Sequence, residues 1–307
     1  MEISKRNGNI AFIEETHEYF DINNKDNKFI SVTTLISKFE TPFPKEFWSR
    51  YKALERILGK DRFQIEKKKL LQTKRFDISC LSTYDILESD FIQVQQDILK
   101  EWEEKNKASC ERGTKIHAQL EAYSKGGKFK EKIAPRLNYK IDNLPCFTNS
   151  TENELLKTVD KGIFPEYLIY RQSDDNILRL AGQIDLLIKN GNDIYIIDFK
   201  TNEKIDLKSG FDTSTKKNSM MKYPLNNIQD SNYWHYTLQL STYAWMVQKI
   251  NPEYNIKGLT IIHYDHNDNV TTYQLDYLKS DVERMLAYYK TIRKRELAEE
   301  QRKRIEF

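Results

Sequence analysis

Two apolar segments separated by a turn constrain this chain more than any other feature of its sequence. Residues 178–189 and 193–200 are rich in isoleucine and leucine, and Asn190-Gly191-Asn192 between them is a strong hairpin signal. Apolar residues run almost continuously through both segments instead of alternating with polar ones. The pattern therefore predicts a central hairpin whose two strands are buried on both faces.

One aspartate lies in each predicted strand. Whether the loop is 191–192 or 190–191, Asp185 and Asp198 share one face of the hairpin, because side chains alternate with period two. The first loop places the two carboxylates directly opposite each other, about 5 Å apart, where they repel; Lys200 lies on the same face. A charge near the end of a buried strand is costly unless it is paired or bound to metal. We therefore predict a catalytic metal site, over the alternative that the aspartates mark a solvent face and Lys200 neutralises one of them.

The bulk composition narrows the class of protein. The chain has 307 residues, and 49 Lys+Arg against 46 Asp+Glu leave a net charge of only +3, so contact with nucleic acid must come from local clusters of charge. The three cysteines, Cys80, Cys110 and Cys146, are widely spaced, which argues against a disulfide framework and against an iron–sulfur cluster. There is no apolar run of about 18 residues and no signal-like N-terminus. We expect a cytoplasmic protein without a membrane partner.

The order of the predicted elements indicates a mixed α/β (α+β) fold, in which helices flank a mixed central β-sheet. An N-terminal β-hairpin or meander precedes a highly charged helical region, and a further helix is predicted from Ala108, entered through Arg112-Gly113-Thr114. We predict three parts: an N-terminal region that packs on the core, a core with an inserted polar loop, and a basic helix end, at residues 1–107, 108–290 (loop 203–234) and 291–307.

Four short motifs follow one another between about residue 100 and residue 275. They are Gly113-Thr114-Lys115-Ile116-His117, Gly182-Gln183-Ile184-Asp185, Asp198-Phe199-Lys200-Thr201 and Gln239-Leu240-Ser241-Thr242-Tyr243. Together they resemble the RecB-like branch of the PD-(D/E)XK nuclease superfamily, which includes mitochondrial-genome-maintenance-type and phage exonucleases. The resemblance implies a restriction-endonuclease-like fold. Two positions depart from the family name: Ile184 stands where proline is expected, and Asp198 replaces glutamate but keeps the carboxylate.

The resemblance also implies a role for each motif residue. Asp185 and Asp198 are the expected catalytic ligands of Mg²⁺ or Mn²⁺, together with the backbone carbonyl of Phe199. His117 is an expected further ligand, and its softer imidazole nitrogen favours Mn²⁺. Lys200 is expected to orient or activate the attacking water and to offset charge on the phosphate.

Other residues are expected to complete the site or to contact DNA. Glu166 is either an additional metal ligand or a surface residue of an edge strand. The basic, aromatic-containing loop suits a single-strand track, although a solvated loop gives the same pattern. The residues expected to contact DNA or to brace the site are Gln239, Tyr243, Thr201, Arg112, Lys204, Lys208, Lys216, Lys217 and Lys222.

The sequence thus predicts a metal-dependent DNA exonuclease acting on single strands or DNA ends, in bacterial or phage replication, recombination or repair. A structure-specific endonuclease of the same superfamily and a catalytically inactive DNA-binding module are the alternatives. The chain has no phosphate-binding Gly-x-x-x-x-Gly-Lys-Ser/Thr loop. Any helicase would therefore be a separate chain, and a separate single-strand annealing or binding protein is the other expected partner.

Overall fold

The computed structural model describes residues 3–73, 75–140, 144–147, 153–212 and 217–305, with the backbone alone for residues 153, 154, 211, 212, 217, 304 and 305. The chain divides into two compact units. Unit 1 comprises Met1–Glu40, Gly113–Gly210 and Ser219–Phe307, and unit 2 comprises Thr41–Arg112 and Phe211–Asn218. The predicted domain limits at residues 107 and 290 stay predictions.

The described elements are eight α-helices, one short 3-10 helix and eleven strands. The helices are α1 (Val32–Ser37), α2 (Lys45–Thr73), α3 (Cys80–Thr83), α4 (Glu88–Lys125), α5 (Phe129–Lys132), a 3-10 turn (Ala134–Arg136), α6 (Asn153–Thr158), α7 (Asn232–Ile250) and α8 (Lys279–Ile305). The strands are β1 (Lys5–Asn7), β2 (Ile10–Ile13), β3 (Glu18–Asp21), β4 (Asn24–Ser31), β5 (Lys161–Gln172), β6 (Arg179–Asn190), β7 (Asp193–Lys200), β8 (Phe211–Asp212), β9 (Lys217–Asn218), β10 (Asn255–Tyr264) and β11 (Val270–Leu275).

Unit 2 is helical, as the charged periodic sequence predicts, and has its own apolar core around Leu54, Phe63 and Phe91. Helix α2 is interrupted at Gly59, which has φ 73° and ψ 163°. The helix predicted to begin at Ala108 does not begin there, because α4 continues unbroken through this point and through Gly113. A single glycine in a helix costs only about 1 kcal/mol, and its neighbours supply enough helical propensity to continue.

Unit 1 is built on a mixed sheet of nine strands. Eight of them follow the order β1-β2-β3-β4-β6-β7-β10-β11, and β5 pairs with β6. The β5–β6 and β6–β7 pairs are antiparallel, whereas β4–β6 and β7–β10 are parallel. Helix α1 follows β4 directly, and the Ser31 side chain caps it by accepting a hydrogen bond from the Thr34 backbone N–H at 3.0 Å.

The central hairpin has the register predicted for a Gly191-Asn192 loop. Asn190 pairs with Asp193, and Gly191 adopts φ 61°, a left-handed conformation that glycine accepts at little cost. Side chains from β6 and β7 are buried on both faces of the sheet. Leu187 and Ile196 lie in a core shared with α1, α7 and α8, and Leu186 lies in one shared with α5 and the end of α4.

These layers give a mixed central sheet flanked by helices, which confirms the predicted fold class. The α7 and α8 side covers one face of the hairpin, and the end of α4 with α5 covers the other. Within the described part of the chain, every helix is too short or too polar to cross a lipid bilayer.

Candidate active site

The site lies at a gap along one edge of β6. Strand β5 pairs with β6 along its whole length and so occupies one edge. On the other edge, β4 pairs with Leu180 and Ala181, and β7 pairs only from Leu186 onward. Among the described residues, therefore, no strand pairs with residues 182–185 of β6 on that edge, and this stretch is the Gly-Gln-Ile-Asp motif.

Asp185 is tied to the end of β7 by its side chain instead of by backbone pairing. The Phe199 backbone N–H donates to Asp185 Oδ2 at 2.7 Å, and His117 Nδ1 of α4 lies 3.5 Å from the same oxygen. Burial, followed by repulsion from Asp198, raises the pKa of Asp185 well above its usual range, although Lys200 opposes the shift. The carboxylate thus lies where a further positive charge would be strongly stabilising.

Glu166 of β5 faces the same place, and its backbone is distorted. Its neighbours keep one register, Pro165 with Leu186 and Tyr167 with Ile184, so Glu166 lies opposite Asp185. It has φ 52°, a conformation that costs a residue of this kind about 1–3 kcal/mol and is often found at functional sites.

The Glu166 carboxylate is partly buried and held on two sides. Lys5 Nζ lies 3.0 Å from Oε2, and the Gln183 side-chain amide donates to the same oxygen. Burial and the nearby Asp185 charge raise the pKa of Glu166 to about 7, although Lys5 lowers it. Glu166 is thus a second acidic group, and its ionised form would be stabilised by additional positive charge.

His117, Glu166 and Asp185 form a group that could hold a metal ion. One ligand atom from each lies within 4.8 Å of the other two. Two carboxylate oxygens and an imidazole nitrogen are a donor set suited to a divalent cation such as Mn²⁺, and carboxylates alone suit Mg²⁺. The raised pKa values of both acids fit this reading, because a bound cation would favour their ionised forms.

Asp198 is the centre of a second, adjoining cluster. Its side chain is buried, with Lys200 Nζ 2.7 Å from Oδ2 and the Gln239 side-chain amide donating to Oδ1 at 3.0 Å. Lys200 also donates to Gln239 Oε1 at 3.2 Å, which closes a three-membered ring of contacts. Burial disfavours the charged amine, but Asp198 and Asp185 outweigh it and raise the pKa of Lys200. Lys200 is therefore a charged ammonium in this arrangement.

An aromatic ring lies beneath this ammonium. Lys200 Nζ is 4.5 Å from the centroid of the Tyr236 ring, within the range of a cation–π interaction. Tyr236 precedes Gln239 by three residues on α7, so both lie on one helix face. Tyr236 is not among the predicted site residues, although its position three residues before the Gln-x-x-x-Tyr motif could have indicated it.

Close packing surrounds two motif glycines and leaves no room for a side chain at Gly182. A Cβ on Gly182 would lie 2.5 Å from Tyr243 Cε1, and a Cβ on Gly113 would lie 3.0 Å from Thr201 Oγ1. The first contact holds α7 against the gap in β6, and the second holds α4 against the end of β7. Tyr243 also approaches Gln239, whose Nε2 lies 3.5 Å from the Tyr243 hydroxyl.

The structure brings together seven residues that the sequence singled out: His117, Glu166, Asp185, Asp198, Lys200, Gln239 and Tyr243. It adds Lys5 and Gln183, which the sequence analysis missed. Gln183 lies inside a motif and could have been found from it. Lys5 lies 161 residues from Glu166 and carries no motif signal.

The remaining predicted DNA-contacting residues lie elsewhere. Lys204 is exposed and pairs with Asp206 at 2.8 Å, and Lys208 and Lys222 are exposed. Arg112 is half-buried and belongs to unit 2. Lys216 lies outside the described residues, and Lys217 is described only by its backbone, in β9. Their proposed contacts with DNA stay predictions, as does a metal-binding role for the Phe199 carbonyl.

With this geometry in place, comparison with known proteins identifies the family. The chain belongs to the PD-(D/E)XK nuclease superfamily, whose family model matches residues 91–306. Proteins of this superfamily are nucleases that use divalent metal ions. The predicted superfamily is thereby confirmed.

Two solved structures show weaker likeness. The crystal structure of SSO0001 is 14% identical, with a TM-score of 0.26 over 42% of this chain and 50% of that one. A candidate exonuclease from Eubacterium rectale is 11% identical, with a TM-score of 0.32 over 60% of this chain and 65% of that one. The chain thus covers less than two thirds of either protein, and neither likeness bears on its activity. A comparison with curated proteins finds no match.

Proposed function

We propose that this chain is a Mg²⁺- or Mn²⁺-dependent deoxyribonuclease that hydrolyses DNA from a free end, on single strands or duplex ends. The observation that carries the proposal is the joining of two clusters at one gap in the sheet. One cluster offers three ligand atoms within 4.8 Å, from His117, Glu166 and Asp185. The other offers a buried ammonium, Lys200, 2.7 Å from Asp198. A structural metal site alone would not require the second cluster.

The three clustered side chains would hold the cation. Once bound, a divalent cation lowers the pKa of a coordinated water and offsets charge on a phosphate oxygen. Glu166 is proposed as a ligand in its own right, since it lies opposite Asp185 in the β5–β6 pair. Asp198 remains a proposed ligand as well, with the Phe199 carbonyl, although its contacts here are with Lys200 and Gln239.

The contacts of Lys200 favour one of its two expected roles, because its amine already interacts with Asp198 Oδ2 at 2.7 Å and with Gln239 Oε1 at 3.2 Å. A general base must be neutral to accept a proton, whereas the neighbouring aspartates raise the pKa of Lys200. We therefore assign Lys200 to orienting the attacking water and to stabilising negative charge that develops on the phosphate. Gln239 keeps the ammonium in place by contacting both Lys200 and Asp198.

The finer features of the proposal rest on the four-motif resemblance. These are the preference for a free end, assignment to the RecB-like branch, and work in replication, recombination or repair in a bacterial or phage-infected cell. A separate helicase or single-strand annealing protein as partner belongs to the same set. Lys204, Lys208 and Lys222, all exposed, are proposed to contact the DNA backbone.

The test compares an end-labelled linear single strand with a closed single-stranded circle, in Mn²⁺, in Mg²⁺ and in EDTA. We expect the linear strand to be degraded in metal and the circle to survive. Lys200→Ala should lose cleavage while keeping most of its DNA affinity, because binding is spread over many phosphate contacts. Lys257→Ala is the matched control, since Lys257 is an exposed lysine paired with Asp193 on another strand.

Each other outcome assigns a different function. Cutting of the circle would identify an endonuclease. Binding without cleavage of either substrate would identify a DNA-binding module. Equal loss of cleavage and affinity in Lys200→Ala would refute the role assigned to this residue.

A further inference from the structure

An exposed tyrosine stands on a tight turn within the polar segment after β7. The Leu225 backbone N–H donates to the Lys222 carbonyl at 2.9 Å, so Tyr223 and Pro224 occupy the two central positions of the turn. The base of the turn is closed by the Met221 N–H, which donates to the Ile228 carbonyl at 2.9 Å. Tyr223 is 65% exposed, whereas Pro224 is buried.

The turn is fixed to the rest of unit 1. The Lys222 backbone N–H donates to the Phe39 carbonyl at 2.7 Å, just after α1. On the other side, Arg284 of α8 donates to the Pro224 carbonyl at 2.9 Å and to Asn227 Oδ1 at 2.5 Å. Tyr223 is thus presented on an ordered backbone, which lowers the entropy that a ligand would have to remove.

The ring of Tyr223 has room for a second flat group. It meets the Tyr288 ring edge-on, at 5.0 Å between centroids and 87° between planes. The ring centroid of Tyr288 lies 6.3 Å from that of Phe39, a core residue, so the tyrosine pair packs against the core. Perpendicular contact covers at most one face of the Tyr223 ring, and its high exposure leaves the other face to solvent.

The surroundings of the ring favour a polyanion. Lys222 and Lys38 are both exposed, and Lys38 Nζ lies 6.0 Å from the Tyr289 ring. Two acidic neighbours, Glu40 and Asp230, approach the two ring nitrogens of His235 at 3.4 Å and 2.8 Å. Burial raises the pKa of Glu40, and His235 and Lys222 oppose that shift. The positive charge of Arg284 is balanced by its ion pair with Asp281. The lysines thus leave a positive edge beside an aromatic face.

This aromatic face is close to the candidate active site. Glu40 Oε1 lies 3.4 Å from Nδ1 of His235, the residue before Tyr236, and the residue before Glu40, Phe39, accepts the hydrogen bond from the Lys222 N–H. The Tyr236 ring lies under the ammonium of Lys200. A strand running from Lys200 past Tyr236 and Glu40 would reach Tyr223 within a few nucleotides.

We propose that Tyr223 stacks on an unpaired base of single-stranded DNA held near the active site, and that Lys222 contacts a phosphate of the same strand. An exposed aromatic face beside basic side chains is how proteins bind single strands without reading sequence. A base that lies a few nucleotides inside a duplex end, at the distance of Tyr223 from Lys200, is already stacked on both faces and cannot use the tyrosine. The inference rests on the proposed function and deepens it, because it selects single strands over duplex ends.

The test measures the affinity of a fluorescent oligothymidylate by anisotropy in Lys200→Ala protein, in which cleavage does not interfere. Replacing Tyr223 by Leu keeps an apolar side chain without a ring, whereas Phe and Trp keep the ring. We expect Tyr223→Leu to weaken binding about fivefold, the lower end for loss of one base–aromatic stack, and the Phe and Trp variants to bind like the parent. Lys222→Met should reduce the salt dependence of binding by about 0.7 in slope.

An oligomer with abasic sites provides the second arm. If Tyr223 stacks on a base, oligomers with an abasic site scanned along the strand should include one for which Tyr223→Leu makes no difference. Equal affinity of Tyr223→Leu and the parent for oligothymidylate would overturn the proposal, as would equal losses for blunt duplex and single strand. Failure of the proposed function is separate, since it shows as absence of cleavage by the wild-type chain whatever Tyr223 does to affinity.

Discussion

Gly182 provides a quantitative test of how the motif holds the site together. A Cβ at this position would lie 2.5 Å from Tyr243 Cε1, 3.0 Å from its hydroxyl and 3.2 Å from Cζ. Favourable contacts between carbons occur at about 3.5–4.0 Å, so Gly182→Ala must move the ring or the strand by about 1 Å. The ring is only 4% exposed, and Gly182 is paired with Ile169 of β5, so neither side can yield freely. We expect a loss of about 1–3 kcal/mol in the free energy of unfolding.

The same substitution should behave differently once the ring is gone. In a Tyr243→Leu background the Cβ has space, and alanine restricts the unfolded chain more than glycine does, so Gly182→Ala should be neutral or stabilising by up to about 1 kcal/mol. The measurement is a double-mutant cycle by urea unfolding at equilibrium. Gly210→Ala is the matched control, because a Cβ there meets no atom of the described residues within 4 Å. An equal effect of Gly182→Ala in both backgrounds would refute the packing argument.

Two further predictions concern the charged groups. Tyr236→Leu should lower kcat several-fold while Tyr236→Phe retains it, because the ring under Lys200 contributes about 0.5–2 kcal/mol through its π face; equal losses in a steady-state cleavage assay would contradict this. Glu166 has a pKa raised to about 7, mainly by burial and then by Asp185. A carboxyl whose pKa is raised on folding contributes stability that is complete below its unfolded pKa of about 4.3 and is lost as the pH rises through about 7. In EDTA, the melting temperature of the wild type relative to Glu166→Gln should therefore fall from pH 5 to pH 8, and Mn²⁺ should restore most of it at the alkaline end. A relative melting temperature that rises over this range would show that Glu166 is stabilised as a carboxylate.

The sequence predicted the parts of the site that depend on local spacing. Asp185 and Asp198 follow from the period of two in strands and from one turn signal, and the observed Asn190–Asp193 pair has the expected register. The ladder nevertheless ends at Leu186–Ile197, one pair short of the two aspartates. The two aspartates therefore approach each other through their side chains beyond the last backbone pair of the hairpin. The period of two in strands does not predict where this pairing ends.

The parts that could not be predicted depend on residues distant in sequence. Lys5 contacts Glu166 across 161 residues, and no local pattern connects them. Pro165 before Glu166 indicates an irregular strand, but the left-handed backbone of Glu166 depends on the pairing with β6 and is not encoded locally. The continuity of α4 was mispredicted for a different reason: Gly113 is a local helix-breaking signal, but here the glycine lies in a close contact between the helix and Thr201.

The parallel pairing of β4 with β6 has a consequence for where this protein can be divided. The similarity that defines the superfamily begins at residue 91, yet Lys5, β4 and α1 all precede it. Val32 and Leu35 of α1 are fully buried in the same core as Leu238 and Leu240 of α7. A fragment trimmed to residues 91–306 would keep every motif and lose the cation beside Glu166, four of the nine strands of the sheet and part of its cover. The segment that carries the family motifs is therefore shorter than the smallest segment that can fold around them.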